Sequence, residues 1–453
     1  MIFTKANLTS LLPLYDETTP DAGKGFHYYF PNSPEATHDR TTLRRLDGLA
    51  QAVRDSVPFW LSAEAANLAQ FIAQDISGGA SLTAMPAARN RAKPLPRSEV
   101  IHRMGNHRSG ALDLDTVYGG SLKQGNYGRR LTSLLRHPTE KGKMLVAPSI
   151  EMADQMFESR MSVFATEVPQ SRSAKSPTDI RDLFFQVDAI GNLHTPDGAC
   201  PLGSEIDKSD TQSVAALHRM FLQFHNVIAE TYAQQYGANS GSGALFERAR
   251  DLVRWQYQWL VVNVFLREIC HAETLDQVIA EEAPLYRHLA SAVPVDPNGH
   301  LPIPLEFAAA AFRVTEAGSA TDALRTGHQL NLPSAQSCLA EILQTTGVAL
   351  QSLSTSQLTS GATGRALTQS GLVQDTPLWF YIHKEAEVLG KGKTLGPLGT
   401  ALVANTLIGL LVVDDTSFWH HGNTVHGRWS PAQGILPNGH MISSLEDLRE
   451  VLG

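Results

Sequence analysis

Two aspartates two residues apart, Asp113 and Asp115, stand in the stretch Ser109-Gly110-Ala111-Leu112-Asp113-Leu114-Asp115-Thr116-Val117-Tyr118-Gly119. In an extended loop, residues i and i+2 point the same way, so both carboxylates face one side. The Ser109 hydroxyl and the Ala111 carbonyl add oxygens, giving the hard-donor set that calcium takes. Taken alone, an Asp-x-Asp pair is more often a pair of solvated loop charges. Gly392-Lys393-Thr394 has the ending of a phosphate-binding loop, but that motif needs a glycine five residues earlier, where Glu387 stands. It reads as a helix-ending glycine with basic residues near the last carbonyls. His420, His421 and His426 have no acidic or cysteine partner at ligand spacing and read as surface histidines. Cys200, Cys270 and Cys338 are widely spaced and form no CxxC, which argues against a disulfide framework or a cysteine zinc site and for a reducing compartment. No HExxH, GxSxG or GxGxxG occurs.

The elements that must position these residues are mostly helical. From Gln212 to Gln235 apolar residues recur at Val214, Leu217, Phe221 and Ile228, a single buried stripe. Ala244 to Ile269 carries a second stripe, with Phe246, Leu252, Trp255, Trp259 and Val262 on or near one face. Further helices are predicted at Thr41–Ser56, Glu64–Ile76, Pro304–Phe312, Pro333–Thr345, Leu378–Val388 and Leu398–Leu411. Gly/Pro/Ser-rich stretches at 77–97, 169–177, 194–203 and 353–374 read as long loops. No repeat is visible, so residues 1–453 are expected to form one domain, with 1–25 an N-terminal extension. A net charge of −8 gives no basic field for nucleic acid. The first residues lack a basic region followed by an apolar core, and the longest apolar run, Ala401 to Val413, is too short for a membrane span. The expectation is a cytoplasmic protein.

Several segments, in order and at matching spacing, then point one way: Phe30-Pro31-Asn32, Gln70 to Asp75, Ala111 to Gly119, Leu217 to Asn226, Glu306 to Arg313, Leu332-Pro333-Ser334 and Leu378 to Gly399. Together they resemble the animal-type haem peroxidase superfamily, in a divergent, bacterial-like form. The resemblance implies a mainly α fold with long ordered loops and little sheet. It also implies that Asp75 joins Ser109, Ala111, Asp113 and Asp115 around one calcium ion.

At the catalytic positions of that family this chain differs. The family's Asp-His-Asp triplet reads Ala73-Gln74-Asp75, and a carboxamide cannot take a proton from peroxide. The family's distal Arg, eleven residues before the His of the Leu-His pair, corresponds to Asp207, whose charge has the wrong sign for stabilising a departing hydroxide. Phe312-Arg313 continues to Val314-Thr315-Glu316, so Glu316 takes the place of the axial histidine, and the segment from Arg313 to Leu332 is short. The expectation is a peroxidase-fold protein outside conventional peroxidase chemistry and haem-free. Gln74, Asp207 and Glu316 would then line the old haem cavity for acid/base work on a small organic molecule. Two other readings stay open: a haem oxidoreductase with Glu316 or His328 on the iron, and a non-catalytic scaffold or partner-binding protein.

Overall fold

The computed structural model describes residues 25–35, 41–54, 61–77, 93–104, 106, 108–118, 136–137, 140, 142–144, 146, 186–187, 193–194, 208–236, 242–294, 299–315, 320–422 and 427–452. In chain order the helices are α1 (Thr42–Arg54), α2 (Ala63–Ile76), α3 (Arg97–Arg103), α4 (Asp115–Tyr118), α5 (Lys208–Tyr236), α6 (Ser242–Leu260), α7 (Leu266–Ile269), α8 (Ala272–Ala280) and α9 (Pro284–Ala292). They continue as α10 (Ala320–Gln329), α11 (Ala335–Thr346), α12 (Thr355–Leu358), α13 (Gly361–Ser370), α14 (Leu378–Val388), α15 (Pro397–Val413) and α16 (Leu445–Leu452). Among the described residues, sheet is limited to two pairs of two-residue strands. Phe26–His27 runs parallel to Ile303–Pro304, and Gln186–Val187 runs antiparallel to Leu193–His194. The mainly α expectation holds.

Local chemistry sets the helix that carries the candidate site. Ser62 caps α2 by accepting the Ala65 N–H at 3.0 Å, Glu64 stands in the first turn, and Leu68, Phe71, Ile72 and Ile76 are buried. The chain turns extended at Ser77, which ends the helix. Phe71 of α2 stacks on Phe221 of α5, with ring centroids 5.3 Å apart, and both rings meet the edge or face of Tyr257 of α6. Three helices are thus joined through one aromatic cluster, the kind of contact that adds specific geometry to area burial.

The run predicted as one helix over 244–269 is interrupted. Val261–Phe265 forms a π turn between α6 and α7, and inside it the Asn263 side chain donates to the Trp259 carbonyl at 3.0 Å. The run predicted over 304–312 is likewise a π turn, Phe307–Ala311, followed by the 3-10 turn Phe312–Thr315. The 353–374 stretch is not one long loop. Ser354 and Gln357 form a capping box at the start of α12, and Leu358 and Leu367 bury the inner faces of α12 and α13. The other three stretches read as loops lie largely outside the described residues.

α15 is buried on all sides from Pro397 to Leu411, the behaviour of a helix that is apolar all round. Glu385 of α14 caps its start, accepting the N–H groups of Leu398 and Gly399 at 3.1 Å each. Burial raises that carboxyl to about 8, against the pull of the two N–H groups. No described helix is long and apolar enough to cross a membrane. Gly392 donates to the Ala386 carbonyl at φ +70°, so Gly392-Lys393-Thr394 does belong to the turn that ends α14.

The earliest described residues are held by partners far along the chain. The Tyr28 hydroxyl donates to the Leu330 carbonyl, and Glu306 accepts the N–H groups of Tyr29 and Phe30 at 2.9 and 3.1 Å. The Tyr29 hydroxyl meets Thr406 of α15 at 2.8 Å. Arg97 binds the carbonyls of Phe30, Pro31, Ser33 and Asn331, and its guanidinium lies over the Tyr28 ring.

Candidate functional site

Asp75 lies in the last turn of α2 and is fully buried. Its Oδ2 accepts the Leu114 N–H at 3.2 Å, while its Oδ1, shielded from solvent, has no hydrogen-bond partner. Leu114 reaches this position with φ +59°, a conformation costly for a branched side chain, and its carbonyl then starts α4 by accepting from Val117 and Tyr118. Before it, Ser109 donates to Asp113 Oδ2 and accepts from the Ala111 N–H, both at 3.2 Å, folding the loop around its own oxygens.

Three outside contacts fix that loop. The Leu301 N–H donates to the Ser109 carbonyl at 2.7 Å. At Gly110, φ is +76° and a Cβ would stand 2.4 Å from the Leu301 carbonyl oxygen, so only glycine fits. The Gln258 amide of α6 donates to the Leu112 carbonyl at 2.7 Å and accepts the Phe418 N–H at 2.8 Å. Asn106 links the loop to α2, donating to Ile76 and accepting from the Arg108 N–H.

The site brings two acidic side chains together in a buried place. Burial holds the Asp75 carboxyl well above the usual range, and Asp113 raises it further; the Leu114 N–H and Arg108 pull the other way. The buried donors are two carboxylates and a hydroxyl, all hard oxygens, and one Asp75 oxygen is unpartnered. This donor chemistry fits calcium. Ala111 is buried in the same loop; Asp115 begins α4, and its side chain lies outside the described residues. No three His, Cys, Asp or Glu side chains among the described residues group closely enough to hold a metal, so the described acidic set is the Asp75–Asp113 pair.

Gln74, next to Asp75, is half-buried, and Ala73 beside it is buried. His218 on α5 is driven down to about 3 by burial and by Arg108, leaving a neutral imidazole. Asp207 and Glu316 lie outside the described residues, so the Gln74–Asp207–Glu316 set is described at Gln74 alone. Arg313 is buried in the 3-10 turn that leads toward Glu316, and its carbonyl faces the Trp379 indole N–H at 3.5 Å. His328 is buried in the last turn of α10.

Other polar residues of the matched segments hold structure. His225 is buried between the Tyr118 hydroxyl and the Gly142 carbonyl, each at 3.0 Å, and burial lowers it to about 4. Asn226 binds both the N–H and the carbonyl of Met144. His420 and His421 each bind a backbone carbonyl, of Val412 and Ser417, and His426 lies outside the described residues. Gln258, Asn106 and Tyr257 escaped sequence reasoning because each sits in a pattern that reads as core or loop; a polar Gln258 on a buried stripe was the one signal available.

The last turns of α2, its acidic loop and the π turn before Arg313 lie within a stretch that a family model matches. The animal haem peroxidase family model matches residues 71–362, and the chain belongs to that family. Among solved structures, Peroxidase A from Dictyostelium discoideum is similar in fold, with a TM-score of 0.50 and 12% identity over 98% of this chain and 96% of that one. No curated protein sequence matches.

Proposed function

We propose that this family member has left conventional peroxidase chemistry and keeps a calcium ion as a structural brace. The observation that carries the reading is the register of Gln74. Asp75 meets the Leu114 N–H beside Asp113, which supports reading it as the last residue of the family triplet and Gln74 as standing where the family has its base. That residue is a carboxamide with no proton to exchange near neutral pH. On that reading Gln74 does not fit peroxide activation on a haem. Asp207 in place of the distal Arg and Glu316 in place of the axial His extend the same reading from the sequence.

Calcium would be held by Asp75, Ser109, the Ala111 carbonyl, Asp113 and Asp115, tying α2 to a loop distant in sequence and contributing to folding. The cavity residues Gln74, Asp207 and Glu316 would then serve acid/base chemistry on a small organic molecule. Purified protein expressed with ample haem precursor should show no Soret band and no peroxide-dependent oxidation of a general electron donor. A stoichiometric Soret band overturns this. A second reading, haem with an unusual ligand, is supported by His328, a buried imidazole on the helix that packs against the Phe307–Ala311 turn and α14. Under it, a Soret band would be present and His328→Ala or Glu316→Gln would remove it.

A further inference from the structure

We propose that Tyr257 is a positioning residue of the Asp75 ion site, its phenol O–H donating to Asp75 Oδ1 while the Leu114 N–H holds Oδ2. The inference rests on the calcium reading above and adds to it a residue on a third element. Tyr257 is fully buried, and its hydroxyl has no hydrogen-bond partner; Asp75 Oδ1 is equally buried and equally without one. The two groups act on each other electrostatically, and Asp113 acts on both. A buried phenol and a buried carboxylate oxygen, neither held by another group and each acting on the other as a hydrogen-bonding neighbour, are matched for a charge-assisted hydrogen bond.

The surrounding structure aims them. Phe71 and Asp75 are four residues apart on α2 and so share a face. Phe71 meets the Tyr257 ring at 5.8 Å and 85°, and Phe221 meets it at 5.5 Å and 77°. The face of α2 that grips the ring thus also delivers the carboxylate to the hydroxyl. One residue on, Gln258 holds the Leu112 carbonyl, so consecutive residues of α6 fix the backbone of the ion loop and the carboxylate that meets it. A phenol keeps its proton near neutral pH, so against a carboxylate Tyr257 is the donor. With one donor on each oxygen, Asp75 keeps a lone pair on each for the cation and cannot swing.

The test is Tyr257→Phe in the full chain, which keeps the ring and removes the hydroxyl. Calcium affinity would be read by competition with a fluorescent chelator, beside wild type, Asp113→Ala and Leu367→Ala, the last a buried residue of α13 outside the site. Loss of such an orienting partner weakens metal binding roughly 10- to 100-fold. The expected result is that drop in Tyr257→Phe, no binding in Asp113→Ala, and affinity within about twofold of wild type in Leu367→Ala despite a lower melting temperature. Wild-type affinity in Tyr257→Phe, with binding lost in Asp113→Ala, overturns the role of Tyr257 and leaves the ion site standing. An equal loss in Leu367→Ala also overturns it, since lost stability alone would then explain the effect. A wild type that binds no calcium overturns the ion site and the inference together. Should Tyr257→Phe not fold, a tyrosine difference spectrum on adding calcium to wild type, absent from Asp113→Ala, supports the role; no such spectrum overturns it.

Discussion

The effect of Asp75→Asn on stability should depend on whether calcium is present. Without the ion, the fully buried Asp75 carboxyl, already raised by burial and by Asp113, must keep its proton or stand as a poorly compensated charge. Removing the ionisable group should therefore raise stability in chelator at neutral pH. Asparagine can still accept the Leu114 N–H that Asp75 Oδ2 accepts. With calcium at about a hundred times its dissociation constant, wild type gains about 2.7 kcal/mol that the variant does not. The stability of the variant relative to wild type should therefore fall by about 2.7 kcal/mol from chelator to excess calcium. Thermal melts of both proteins in the two buffers read this directly, with calorimetry to establish reversibility. A variant less stable than wild type by the same margin in both buffers would refute the reasoning, because Asp75 would then stabilise the fold without an ion.

Glu385→Gln tests the cap on α15. An acid whose folded pKa is raised to about 8 holds its proton more tightly in the folded chain, so its contribution is full below the ordinary carboxyl range and is lost as pH climbs to about 8. The melting temperature of the variant minus that of wild type should rise from about pH 5 to about pH 8.5, and a constant difference refutes the assignment. Phe71→Ala should cost about 3–5 kcal/mol in urea unfolding, since it empties the cluster shared with Phe221 and Tyr257; a cost below about 1 kcal/mol would mean the three helices are held elsewhere. Gln74→His alone should not confer peroxide-dependent oxidation, because Asp207 and Glu316 remain; turnover in that single variant would place the whole loss at Gln74.

The helices that bury a stripe were readable from periodicity, and α2, α5, α11, α14 and α15 lie within a few residues of expectation. The π turns were not, because a single widened turn inside a helix has no capping or composition signal of its own. α12 and α13 were masked by a Ser/Thr/Gly composition that also suits loops, although Ser354 and Gln357 stood at capping-box spacing. In the site, Asp113 was visible as half of a charged pair, but only resemblance connected it to Asp75, 38 positions upstream in a helix. Tyr257 was invisible because an aromatic residue on a buried stripe reads as packing, and its hydroxyl acquires meaning only once α2 is docked against it.

The bonds that hold the earliest described residues set the timetable of synthesis. Tyr29 meets Thr406 across 377 residues, and its N–H meets Glu306 across 277. At about 5–20 residues per second, the Tyr29 partner on α15 emerges some 20–75 s after Tyr29 itself. During that interval the aromatic run Tyr28-Tyr29-Phe30 has left the ribosome without its seat, an apolar segment open to chaperones and to other nascent chains. What is made near the beginning is therefore among the last parts of this protein to be finished.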